Sequence, residues 1–196
     1  MHLFISLTLK LFFLFTPFFA LAMFLAMTEN KSTTERRVLA HRVALATAVI
    51  AGVLLFCGKY ILVMFGITVD AFRIGAGILL LLLAISLMNQ KIIAGTDGDD
   101  ISVVPLAMPV IVGPAAGGAI LVMSAELHGA MRLVGFFALL AALFAIWLIL
   151  LLGTWIERKL GRRGISILMR LTALILAALS AQMIMTGICG FLSIKC

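Results

Sequence analysis

Six uncharged, strongly apolar stretches dominate this chain: Leu11 to Thr28, Val43 to Gly58, Ile74 to Gln90, Ile101 to Ala125, Leu133 to Ile156 and Leu171 to Ile194. Each is close to the roughly 20 apolar residues that a helix needs to cross the hydrocarbon core of a bilayer. With 64% hydrophobic residues, 12% charged residues and a mean hydropathy of +1.28, the solvent for most of the surface is lipid. A length of 196 residues holds six such spans with short loops. The expected fold is therefore all-α: a polytopic membrane protein of six transmembrane segments, forming a single integral membrane domain over residues 1–196. The first span is expected to begin near Leu3 and not to be a signal peptide, because a basic start is missing. The second is expected to run past Lys59 to about Phe65, with Lys59 snorkelling or facing protein.

A net charge of +7 in so apolar a chain belongs to loops, so no nucleic-acid partner is expected. The first loop carries Lys31, Arg36, Arg37 and Arg42, and the fifth carries Arg158, Lys159, Arg162 and Arg163; the second and fourth offer little beyond Arg73 and Arg132. Basic loops stay on the cytoplasmic side, which places both termini outside, in the periplasm of a Gram-negative host, with the chain in the inner membrane. The acidic run Asp97, Asp99 and Asp100 in the third loop weighs little in that rule and is a solvated turn lacking the ligand spacing of a calcium loop. Cys57, Cys189 and Cys196 have no metal-ligand spacing, so neither a metal nor a disulfide is expected, and no cofactor motif is present. His2, His41 and His128 fall at ends or in loops as solvated imidazoles. An enzyme would need a nucleophile with its base, a metal pair or a carboxylate dyad; the sequence offers none, and no enzymatic activity is expected.

One offset relates the chain to itself. Thr16-Pro17 falls on Gly113-Pro114 and Arg73 falls on Arg170, both at a separation of 97 residues. The first pair interrupts the first span of each half, and the second opens the third span. Three spans per half reverse the direction of the second half, so the expected architecture is two inverted three-helix repeats, about 1–92 and about 101–196, each with a broken first helix. Proline removes a backbone donor and clashes with the carbonyl one turn back, so Thr16-Pro17 and Gly113-Pro114 should each break their span. At membrane depth such breaks survive only against protein or a wet cavity, where half-helix N-termini can meet a carboxylate and freed carbonyls an ammonium. The candidate substrate-binding residues are Thr16, Pro17, Phe18, Phe19 and Ala20 in one half and Gly113, Pro114, Ala115 and Gly117 in the other. Pro105 and Pro109 further suggest that the fourth span is irregular or re-entrant in its first part. Arg73 and Arg170, at span starts, read as snorkelling anchors. Thr47, Ser86, Thr154, Thr172, Ser180, Gln182 and Thr186 read as structural hydrogen-bonding groups.

The segments Pro105-Leu106-Ala107-Met108-Pro109-Val110-Ile111-Val112-Gly113-Pro114-Ala115 and Ala71-Phe72-Arg73-Ile74-Gly75-Ala76-Gly77-Ile78-Leu79-Leu80 resemble the MarC family of bacterial and archaeal inner-membrane proteins. The resemblance spans nearly the whole chain. It implies six spans in two inverted halves and transport of small neutral amino acids such as glycine and alanine. The family usually has Asn-Pro or Asp-Pro followed by Gly in the first span; this chain has Thr16-Pro17-Phe18-Phe19, and Ala22 where a further Pro is usual. The functional expectation is a secondary transporter of small neutral amino acids or similar solutes working by alternating access. The alternatives are a non-transporting membrane scaffold, or a channel or small-molecule exporter. Small residues in the spans permit a homo-oligomer without demanding one.

Overall fold

A computed structural model describes residues 2–28, 31–89, 113–127 and 129–192. The described residues are helical with short connections, and none is in a strand. The helices are α1 (His2–Leu14), α2 (Pro17–Met27), α3 (Thr33–Met64), α4 (Val69–Met88), α5 (Pro114–Glu126), α6 (Ala130–Leu151) and α7 (Gly153–Phe191). Five spans are long and apolar enough to cross a membrane, counting His2–Met27 as one broken span; Ala115–Glu126 is a shorter apolar helix. The expected fourth stretch is described only from Gly113 onward. Its Pro105 and Pro109, and the acidic run at Asp97, Asp99 and Asp100, lie outside the described residues.

Local chemistry sets the helix ends. Ser32 caps α3 in a reciprocal box: its Oγ accepts from Glu35 N at 3.3 Å, while Glu35 Oε2 accepts from Ser32 N at 2.8 Å. Thr68 Oγ1 accepts from Ala71 N at the start of α4. Gly66, at φ 65°, turns the chain after α3, and Gly161, at φ 66°, kinks α7. Pro17 and Pro114 each open a helix at its first turn, where a missing N–H costs nothing.

Each long helix shows lipid a stripe of large apolar side chains. On α3 the stripe is Leu45, Val49, Val53 and Phe56; on α6 it is Leu133, Phe137, Leu140, Phe144 and Leu148. Inside, small residues set the spacing. The most extensive interface joins α4 to α7 in antiparallel fashion. A methyl on Gly77 would lie 2.6 Å from Ile184 Cγ1, and one on Gly187 would lie 2.8 Å from the Asp70 carbonyl oxygen. Helix α5 lies against both α3 and α4, with Gly58 facing Ser124 and Gly118 facing Ala76. Helix α1 packs on α6, and α2 on α6 and α7. The broken span is the most enclosed: 61% of its apolar window is buried, against 28–39% for the other four.

Three expectations change. Arg73 is not a snorkelling anchor: it pairs with Asp70 on its own helix and with Glu126 at the end of α5, because α5 crosses α4 at that level. His41 remains exposed but accepts a hydrogen bond from Trp147 Nε1 at 3.0 Å, tying the start of α3 to the end of α6. Cys189 is disulfide-bonded while Cys57 is free, so the expectation of no disulfide fails; that expectation rested on ligand spacing, which does not test for pairing.

Candidate functional site

The break between α1 and α2 is built on an unusual residue. Thr16 has φ 47° and ψ 58°, the left-handed region, and is the only non-glycine residue with positive φ among those described. For a β-branched side chain this conformation costs about 1–2 kcal/mol. Thr16 N donates to Phe13 O and Ala20 N donates to Thr16 O, each at 2.9 Å, so the chain leaves α1 and enters α2 through two residues, Phe15 and Thr16. Pro17 has no N–H, and the amides of Phe18 and Phe19 precede the first intrahelical bond of α2, so neither has an acceptor within the helix.

The Thr16 hydroxyl completes the site. Several other hydroxyls in the spans bond back along their own helix: Thr28 to Phe24 O, Thr47 to Val43 O, Thr172 to Leu168 O, Ser180 to Ala177 O and Thr186 to Gln182 O; Ser124 Oγ instead accepts from Lys59 N of α3 at 3.3 Å. That matches the structural role expected of Thr47, Thr172, Ser180 and Thr186. Thr16 is 1% exposed, yet among the described residues its Oγ1 is the one buried side-chain polar atom without a hydrogen-bond partner. A strained backbone, an unpaired buried hydroxyl and unbonded first-turn amides thus coincide at the end of one half-helix. Strain and unmet hydrogen bonding together make this a candidate functional position.

The neighbours of Thr16 close it in. Pro17 is buried, Phe19 is 3% exposed and Ala20 is fully buried. Phe18 is half-buried with its ring edge-on to Phe12, so neither phenylalanine is given over to lipid. In the second half, Gly113 is buried with extended backbone and Pro114 begins α5. Ala115 is buried, a methyl on Gly117 would lie 3.4 Å from Leu54 Cδ1, and one on Gly118 would lie 2.8 Å from Ala76 Cβ.

Helices α1 and α5 face one another across a cavity of about 250 Å³. Leu7, Lys10 and Leu14 of α1 form one wall and α5 another, with α4 and α7 closing the sides. Its polar lining is Lys10, Arg73, Glu126, Gln182 and Thr186. Leu14 lies two residues before Thr16, so the described cavity stops just short of the break and runs from there toward the end of the bundle where Arg73 and Glu126 sit. None of the candidate residues chosen from the sequence is among its described lining. Those missed were Lys10, Glu126 and the inward faces of Gln182 and Thr186. Glu126 immediately follows the fourth uncharged stretch, and its pairing with Arg73 across 53 residues reveals its place. A signal for it does exist in the sequence, since the 97-residue offset that joins Arg73 to Arg170 also joins Glu29 to Glu126. Among the described residues no three His, Cys, Asp or Glu side chains gather to hold a metal.

Comparison with known proteins finds relatives named as membrane proteins. The chain is 34% identical over 194 residues to the UPF0056 membrane protein YhcE of Escherichia coli (strain K12), covering 92% of this chain and 89% of the relative. It is also 34% identical over 194 residues to a UPF0056 membrane protein of Methanocaldococcus jannaschii, covering 93% and 94%. A UPF0056 membrane protein of Buchnera aphidicola subsp. Baizongia pistaciae is 32% identical over 198 residues, covering 94% and 92%. No solved structure matches the chain. The family model described as "MarC family integral membrane protein" matches residues 1–192.

Proposed function

This chain belongs to the MarC family of integral membrane proteins, and we propose that it works there as a secondary transporter of small neutral amino acids or similar small solutes, and not as an enzyme. The observation that carries the reading is Thr16, a buried hydroxyl with no partner on a strained backbone at the N-terminus of a half-helix. Such an end presents N–H groups and the positive pole of the helix dipole, which suits a carboxylate. The Thr16 hydroxyl supplies a further donor. Thr16, the amides of Phe18 and Phe19, and the Gly113-Pro114-Ala115 break of the other half bound the site, with Pro17, Ala20 and Gly117 shaping the backbone around it.

Six spans in two inverted repeats are part of the proposal. The helix pairings support it, because exchanging the halves exchanges the partners: the first span of the first half meets the second span of the other, and α5 meets α3 in the same way. Helices α3 and α6 meet each other, as do α4 and α7, as elements astride a pseudo-two-fold axis would. Residence in the inner membrane with both termini outside is likewise proposed. Exposed Arg37, Arg42 and Lys159 gather with Trp147 and Trp155 at one end, as at a cytoplasmic interface. A disulfide at Cys189 fits an oxidising compartment at the other.

The test is uptake of labelled glycine and alanine into liposomes holding the purified protein, with and without a proton or sodium gradient. Thr16→Val keeps the β-branched shape and removes only the hydroxyl; Gly113→Leu obstructs the second break. Both variants are expected to insert normally and to lose saturable uptake. Undiminished uptake in both would remove this site from consideration.

A further inference from the structure

One cation of the cavity lining stands without a partner. Lys10 is exposed and lines the cavity from α1, about 12 Å along that helix from His2 at 1.5 Å per residue. Among the described residues it makes no hydrogen bond or ion pair. The other charges at this end are engaged. Arg73 donates from Nη1 to Asp70 Oδ1 at 2.7 Å and from Nε to Glu126 Oε1 at 3.1 Å, with a further bond from Nη2 to the same Glu126 oxygen, and Glu126 has another interaction besides. Arg73 and Glu126 thus hold α4 to α5, while Lys10 lines the same cavity from a third helix. Leu7, Leu14, Leu80, Val122, Met123 and Leu179 give the cavity apolar walls, and its uncharged polar groups are Gln182 and Thr186. An ammonium beside such walls attracts an opposite charge more strongly than one in bulk water. Ionisable side chains that face a cavity from within a span mark solute pathways.

We propose that Lys10 is the carboxylate-binding residue of a subsite in this cavity, which takes a small amino acid before it reaches the break at Thr16; the inference rests on the transporter reading. Leu14 lies one turn beyond Lys10 on the same face of α1. Thr16 follows two residues later, about 9 Å along the chain axis from Lys10. A carboxylate released by Lys10 therefore has a short path, past apolar side chains, to the amides of Phe18 and Phe19. Arg73 is not the first contact, because its guanidinium is already shared between two carboxylates. The charges of Lys10, Arg73, Asp70 and Glu126 cancel, and without Lys10 one acid is in excess. Loss of Lys10 thus removes an attraction for a carboxylate and leaves a repulsion. The 97-residue offset carries Lys10 to Ala107, so the cation, and the subsite with it, belongs to one half alone.

The experiment reads thiol labelling inside the cavity. Gln182→Cys, combined with Cys57→Ser to remove the free thiol, places a reactive group on the α7 wall. The purified full chain in nanodiscs is labelled with a small charged methanethiosulfonate, and the rates with and without glycine are compared. Glycine is expected to slow labelling saturably, and glycinamide, which lacks the carboxylate, to do so only at a concentration at least about tenfold higher. Lys10→Met should raise the half-protecting glycine concentration by at least about tenfold and erase the advantage over glycinamide. Lys10→Arg, which keeps the charge, should retain both and so separates the effect from a folding defect. Protection should persist in Thr16→Val, because the subsite is distinct from the break. Four results overturn the subsite and leave the transporter reading standing: protection unchanged in Lys10→Met, protection lost equally in Lys10→Arg, protection lost in Thr16→Val, or no protection where glycine uptake is saturable. Absence of both protection and saturable uptake of glycine and alanine, from folded protein with Lys10 and Thr16 intact, overturns both.

Discussion

At the scale of single residues, Thr16 sets stability against function. Thr16→Gly removes the left-handed strain of about 1–2 kcal/mol and deletes a buried hydroxyl without a partner. The loss of about 0.5–1 kcal/mol from added chain entropy offsets part of that gain. The variant is therefore expected to unfold slightly later on heating in detergent while losing uptake; an earlier unfolding would show that the hydroxyl is bonded in the native protein. At the start of α3, Ser32→Ala breaks the reciprocal box with Glu35 and should cost about 1 kcal/mol, visible as faster amide exchange in the first turn of that helix. The Thr16 position was legible in the sequence because Pro17 must interrupt a span. Its left-handed backbone was not, since threonine rarely adopts one. The bond between Arg73 and Glu126 was illegible for another reason: two residues 53 apart meet only through the crossing of α4 and α5.

At the scale of elements, the glycines of α4 separate packing from decoration. Nothing lies within 4 Å of a methyl placed on Gly75, whereas one on Gly77 meets Ile184 and the Ser180 carbonyl. Gly75→Ala should be neutral or stabilise by up to about 1 kcal/mol through helix propensity. Gly77→Ala should destabilise by about 1–3 kcal/mol through overpacking, as should Gly187→Ala on the facing helix, and thermal unfolding of the three variants side by side checks the contrast. The sequence shows small residues in both places but not which face of α4 meets α7. Helix ends were more legible: α1 begins at His2 and α3 ends at Met64, close to the expected Leu3 and Phe65. The start of α3 was not, because charged Glu35, Arg36 and Arg37 lie outside any apolar run yet continue the same helix behind the Ser32 cap.

At the scale of the whole molecule, the charge pattern makes an orientation testable. Reporters active only outside the cytoplasm should work when fused to either terminus and fail when inserted before Ser32; the reverse pattern would invert the proposed topology. The apolar runs made the spans readable, whereas the interlocking of the halves depends on tertiary packing that one sequence does not display. That interlocking bears on how the protein is made. The most enclosed element, α1 with α2, precedes α6 and α7, its main partners, by about a hundred residues or more of chain. A ribosome therefore delivers the strained, proline-interrupted helix to the bilayer long before its permanent neighbours exist. Until they arrive, the exposed backbone at Thr16 and Pro17 must be sheltered by lipid headgroups, water or the insertion machinery.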